Sequence, residues 1–198
     1  MSKLNLDTAS TALLLMDCQE GIVGALNPDQ RSALMTSLQQ TRVAARNSGI
    51  PIIYVVIGFR DGHQEIGEKG WFTSVKESRR MIIGSQEAAI CIELSPLPGD
   101  LIVTKKRMSG FTGSDLEQIL RGLSIQTLVL CGVSSVGVVE STARHAIDMD
   151  YNIIILKDGC ADRDELANDA ALTHVLPRIA TVIDSETFLD AINLIPES

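Results

Sequence analysis

The chain has 198 residues, 45% of them apolar, and a net charge of −8. That length supports one well-buried domain spanning residues 1–198, and two would be cramped. The acidic balance argues against a nucleic-acid or anionic-membrane surface, because both need clustered basic side chains, and Lys105-Lys106-Arg107 is too short a cluster to reverse it.

The N-terminal stretch MSKLNLDTAS lacks the positive start, apolar middle and small-residue cleavage site of a secretory signal. A cytoplasmic location is expected by default. Cys18, Cys91, Cys131 and Cys160 are scattered without a CxxC pair, so four thiols are expected and no disulfide framework.

Apolar runs of strand length recur along the chain at residues 11–16, 51–57, 100–105, 126–132, 151–157 and 179–184. Their continuous rather than alternating apolarity predicts strands buried on both faces. Helical segments fall between them. Asn27 before Pro28 opens a helix that closes at Gly49, Ser114 with Glu117 has the spacing of a capping box, and Ser185 with Glu186 begins a last helix. Strand and helix in alternation predict a parallel sheet with right-handed crossovers.

Residues 58–98 break the rhythm with five glycines, the lone Trp71 and little periodicity. A connection so long is expected to serve as an active-site cover, or otherwise as an oligomer-contact or disordered insertion.

Ligands of an open parallel sheet bind outside the carboxyl ends of its strands. Asp17 follows the run LLLM there, Lys105 ends DLIVTK, and residues 132–138 turn from a strand into a helix. A carboxylate at a buried strand end needs a partner, for which Lys105 is the candidate. The turn would aim backbone N–H groups at the same crevice, where they could hold a carbonyl oxygen as charge develops on it.

Those residues belong to the motifs LLLMDCQEGIV (13–23), PLPGDLIVTKKRMSGFTGSDLEQILRGLSI (96–125), TLVLCGV (127–133) and VESTARHAIDMDYNIIILKDGCAD (139–162). Together they resemble the isochorismatase-like hydrolases, a superfamily that includes isochorismatases, nicotinamidases and carbamoylsarcosine amidases. The resemblance implies a three-layer α/β/α, Rossmann-like fold with a mainly parallel six-stranded sheet in the order 3-2-1-4-5-6. It implies Asp17 as the catalytic acid or base. The lysine of the family's K-x-x-x-S-x-F pattern matches Lys105, ahead of Ser109 and Phe111, rather than Lys106. A cis peptide is implied at Val133-Ser134, with oxyanion donors among residues 134–138, Ser134, Ser135 and Gly137 included.

Counting back from VESTAR, the nucleophilic cysteine position falls on Val138. An aliphatic side chain cannot form an acyl-enzyme. Cys18 adjoins Asp17, but neighbouring strand residues point to opposite faces, which predicts a core thiol. Isochorismatases themselves lack the cysteine and hydrolyse a vinyl ether with the aspartate as proton donor. The resemblance therefore implies a hydrolase of a small metabolite using Asp17 and Lys105, without cofactor, while the acidic charge speaks against a nucleic-acid partner or membrane, and the apolar helix faces and long insertion suggest a dimer or higher homo-oligomer. A silent small-ligand-binding protein on the same fold is the alternative.

Two rivals use other residues. A serine hydrolase would combine Ser135 with Asp158 or Asp162 and His174, yet the glycine spacing of a nucleophile elbow is absent and His174 is expected on a helix, surface-facing or in the core. A metal-dependent nicotinamidase would use Asp61 and His63. No second histidine follows them, so His63 is expected as a solvated loop residue and no metal is expected there.

Overall fold

Thr11–Met16 (β1) and Ile52–Ile57 (β2) are buried at every residue, as uninterrupted aliphatic runs require, in a computed structural model that describes residues 4 and 6–192. With Leu101–Lys105 (β3), Thr127–Val133 (β4), Asn152–Ala161 (β5) and Thr181–Ile183 (β6) they form one six-stranded sheet, in the order β3-β2-β1-β4-β5-β6 and parallel throughout. The sheet order expected from the resemblance is the observed one.

The helices are Glu20–Val23 (α1), Pro28–Asn47 (α2), Thr73–Glu77 (α3), Leu116–Gly122 (α4), Glu140–Ile147 (α5), Glu165–Ala170 (α6) and Ser185–Ile192 (α7). Strand order runs one way from β1 to β3 and the other way from β4 to β6. Right-handed crossovers therefore put α2 on one face of the sheet and α4 and α5 on the other, and α7 returns to pack beside α2. The reversal leaves a crevice between the carboxyl ends of β1 and β4. Asp17 and the 133–138 turn stand at its two sides.

At that crevice the backbones close tightly. Gly132, at φ +135, would place a Cβ 2.0 Å from the Met16 carbonyl oxygen, so only glycine fits.

The helix-end signals hold at α2 and fail ahead of α4. Asn27 caps α2 through Oδ1, which accepts from the Gln30 N–H at 2.9 Å, and Gly49 beyond its end adopts φ +72. The capping box at Ser114 and Glu117 does not form. Ser114 Oγ donates to the Gly110 carbonyl at 2.6 Å and Glu117 pairs with Arg121, one turn on, at 2.9 Å. β3 is only partly buried, with Ile102 55% exposed, because it lies at the sheet edge where one flank faces solvent. β5 runs past the end of its apolar stretch to Ala161, because Lys157 and Asp158 fall within a register shift against β4 and pairing resumes at Gly132–Cys160.

Residues 58–98 are anchored rather than loosely attached. Gln19, fully buried, donates through Nε2 to the carbonyls of Ile57 (2.9 Å) and Ala88 (2.7 Å), while its Oε1 accepts from the Ile57 N–H at 2.9 Å. One side chain thus ties the end of β1, the end of β2 and the insertion together. Phe59, Ile66 and Met81 add a small apolar cluster with Ile57 under the same segment.

Candidate active site

Asp17 leaves β1 in a left-handed backbone conformation, φ +50, which only a minority of non-glycine residues adopt and which turns its side chain off the strand alternation. Its own N–H donates to the Val55 carbonyl at 2.8 Å, so the turn is fixed from the β2 side. Lys105, last residue of β3, is fully buried. Its Nζ lies 2.9 Å from Asp17 Oδ2 and donates to the Arg107 carbonyl at 3.0 Å. Lys106, by contrast, turns away to the Gly58 carbonyl at 2.5 Å.

The two oxygens of Asp17 differ. Oδ2 receives the lysine, whereas Oδ1 is buried without any hydrogen-bond partner. Burial pushes the Asp17 carboxyl up from its ordinary value, and the adjacent Lys105 ammonium pulls the other way without cancelling it. A carboxyl so placed keeps its proton at pH values where a solvated aspartate has lost it.

Across the crevice the Val133–Ser134 peptide is cis and residues 135–139 form a wide π-type turn into α5. Val138 is 1% exposed. Ser134 is half-buried, and its carbonyl accepts from the N–H groups of Gly137 and Val139, both at 3.2 Å. The Gly137 N–H, within the span expected to carry oxyanion donors, is thus engaged inside the turn.

Burial suppresses three of the four thiols as nucleophiles. Cys18 is buried, donates to the Met16 carbonyl at 3.6 Å, and has its pKa raised well above the usual thiol value by burial. Cys131 is held up in the same way, and burial raises Cys160 to about 12. Attack needs the thiolate, which these surroundings suppress.

The serine rival loses its base. Ser135 is fully buried and its Oγ has no hydrogen-bond partner, so no histidine activates it, and His174 is exposed on the surface. Asp158 instead binds the start of α7, accepting from the Ser185 N–H at 2.8 Å. The metal rival fails on its donors. His63 is 1% exposed, not solvated as expected, and its Nε2 is bound to the Arg80 carbonyl at 2.7 Å beside the Phe59 ring. Asp61 pairs with Arg79 at 3.0 Å. His63 Nε2 and Asp61 Oδ1 are thus already engaged.

Sequence reasoning missed His145 and Thr142, which hold the loop after β3. Ser109 Oγ is 3.1 Å from His145 Nδ1, the Gly110 N–H donates to Thr142 Oγ1 at 2.8 Å, and Phe111 lies 5.0 Å from the His145 ring. The loop after β3 is thus pinned to α5, which begins at the opposite wall. The only signal was the Ser and Phe of the K-x-x-x-S-x-F spacing, since nothing local marks His145 as their partner.

The family model for the isochorismatase domain matches residues 11–187. The isochorismatase family protein YwoC of Bacillus subtilis is 31% identical, over 97% of this chain and 99% of its own. The ureidoacrylate amidohydrolase RutB of Stutzerimonas stutzeri is 28% identical, over 98% of this chain and 87% of its own. Among solved structures, a cysteine hydrolase from Pseudomonas syringae superposes with a TM-score of 0.87 at 21% identity, covering 98% of this chain and 99% of that one.

Proposed function

Because the chain belongs to the isochorismatase family, we propose that it is a cytoplasmic hydrolase of a small metabolite, cleaving a non-peptide C–N or ether bond by proton transfer through Asp17 and Lys105 without a covalent thioester. The observation that carries this reading is the unpaired, buried Asp17 Oδ1 beside a carboxyl whose pKa is raised. An acid with one oxygen held by Lys105 and the other bare presents its proton in one direction only.

On an enol ether the step balances simply. Asp17 gives its proton to the terminal carbon of the double bond, and positive charge develops on the ether carbon and oxygen. Water adds to that carbon and returns a proton to the carboxylate. The resulting hemiketal collapses to a ketone and an alcohol. Lys105 stabilises the transient carboxylate at 2.9 Å, where a desolvated ion pair is worth more than in water. Ser134, in the cis peptide, and Ser135 after it carry the turn N–H groups that would meet the departing alcohol oxygen, where negative charge develops as the hemiketal collapses.

Turnover that needs protonated Asp17 falls as pH rises through the raised pKa. The stability linkage has the same sign. A carboxyl with a raised folded-state pKa contributes stability that is fully present below the ordinary value of about 3.9 and fades as pH climbs through the folded value. A pH–rate profile therefore descends on its alkaline side, at a pH above the usual carboxylate range. A rate that rises with pH there would assign Asp17 as a base instead.

Val138 also supports a second reading, a silent binder of small ligands. The Val138→Cys variant, assayed beside the parent on amides, nicotinamide, isochorismate and activated esters, separates the two. Parent turnover of the enol ether, unchanged or weakened in the variant, supports proton-transfer hydrolysis. A parent that turns over nothing, with amidase activity gained by the variant, supports the binder. Self-association belongs to the same proposal, supported by the exposed apolar side chains of Trp71, Ile92 and Leu166.

A further inference from the structure

Outside the crevice, one cluster of ionisable groups has more negative charge than its surroundings neutralise. Glu20, Cys91 and Glu93 bring one carboxylate oxygen each and the Cys91 sulfur within 4.8 Å of one another. The backbone holds them in place. The Glu20 N–H donates to the Ala89 carbonyl at 2.9 Å, the Cys91 N–H to the Cys18 carbonyl at 3.0 Å, and Gln19 bridges to Ile90.

Two further observations point to a missing occupant. Cys91 is fully buried, and its sulfur lies within 4.8 Å of an oxygen of each carboxylate. Glu93 Oε2 is also buried and unpartnered, while its Oε1 is fixed by Arg31 at 2.7 Å. Arg31 orients the carboxylate as outer partners of metal ligands do, leaving the second oxygen to point inward.

We propose that Glu20, Cys91 and Glu93 form a binding site for a divalent cation of zinc type, with Arg31 as its outer support. A sulfur donor selects zinc over magnesium or calcium, and three protein ligands leave a fourth tetrahedral position to water. Binding releases the Cys91 proton to solvent, so that two carboxylates and a thiolate face one guanidinium and the deficit equals the charge of the cation. Without the cation, burial and the neighbouring carboxylates keep the thiol protonated, with a pKa pushed up to about 11. Zinc–ligand bonds of about 2.0–2.3 Å require the three groups to close by small side-chain rotations. The site would brace the loop that follows Asp17, and it stands independently of the chemistry proposed for that residue.

Cobalt(II), added to chelator-stripped full-length protein, tests the site directly, because thiolate ligation gives a near-ultraviolet charge-transfer band. The band is expected to saturate at one cobalt per chain and to vanish when zinc is added. Cys91→Ser abolishes it, Glu20→Gln and Glu93→Gln each weaken cobalt binding by roughly tenfold or more, and Asp61→Asn leaves it unchanged. Absence of the band in the parent overturns the proposal, as does a band that survives Cys91→Ser. Should Cys91→Ser fail to fold, the two glutamate variants decide, since both side chains are partly exposed, and undiminished affinity in them also overturns it.

Discussion

Asp17→Asn is expected to lose at least about a hundredfold in turnover, the scale of a general acid's contribution. Asparagine keeps the shape and still accepts a hydrogen bond from Lys105, so the crevice stays intact while the transferable proton disappears. Stability responds differently. Lys105 is fully buried, and at pH values where the parent Asp17 is ionised the substitution leaves that buried charge unpaired. Breaking such a pair from one side costs about 3–5 kcal/mol. Adding Lys105→Met to Asp17→Asn should therefore recover stability without recovering turnover. Rates on an enol-ether substrate, measured beside urea unfolding curves for the three variants, make the comparison. Parental turnover in Asp17→Asn would place the chemistry elsewhere.

Gly132→Ala is expected to be among the most destabilising single substitutions in the chain, at about 3–5 kcal/mol. Its Cβ would meet the Met16 carbonyl oxygen at 2.0 Å and would meet the Met16 backbone nitrogen and carbonyl carbon at 2.8 Å. No flexible side chain can yield there, because the obstacle is the central strand. The φ of +135 adds a conformational cost that alanine cannot avoid. Relief would require β1 and β4 to separate at the crevice, which also displaces Asp17 from Lys105. Thermal unfolding followed by circular dichroism would show the loss as a lowered Tm. A Tm within a degree or two of the parent's would mean that the backbone here is far softer than its packing implies.

The sheet was readable because its strands are buried on both faces, and a run such as LLLM or IIYVVI has no other stable use. Edges were harder. β3 carries Ile102 in a solvent-facing position, and Lys157 and Asp158 looked like the end of a strand while marking an irregularity within it. Asp17 and Lys105 were legible as a pair, because a carboxylate and an ammonium at strand ends on the same edge of the sheet need each other. The burial of His63 was not legible. Its environment comes from Phe59 and the Arg80 carbonyl, the latter brought to it by the fold of a segment without periodicity. Ser114 and Glu117 mimic a cap motif in spacing, but their side chains find nearer partners at Gly110 and Arg121.

The lysine of the central pair is the final residue of β3, the border strand, whereas its aspartate rises from the middle of the sheet. Border strands fray before interior ones, since one flank has no neighbour to hold it. Warming would therefore disengage the ammonium from the carboxylate while most of the interior is still intact, so that heat inactivation precedes melting.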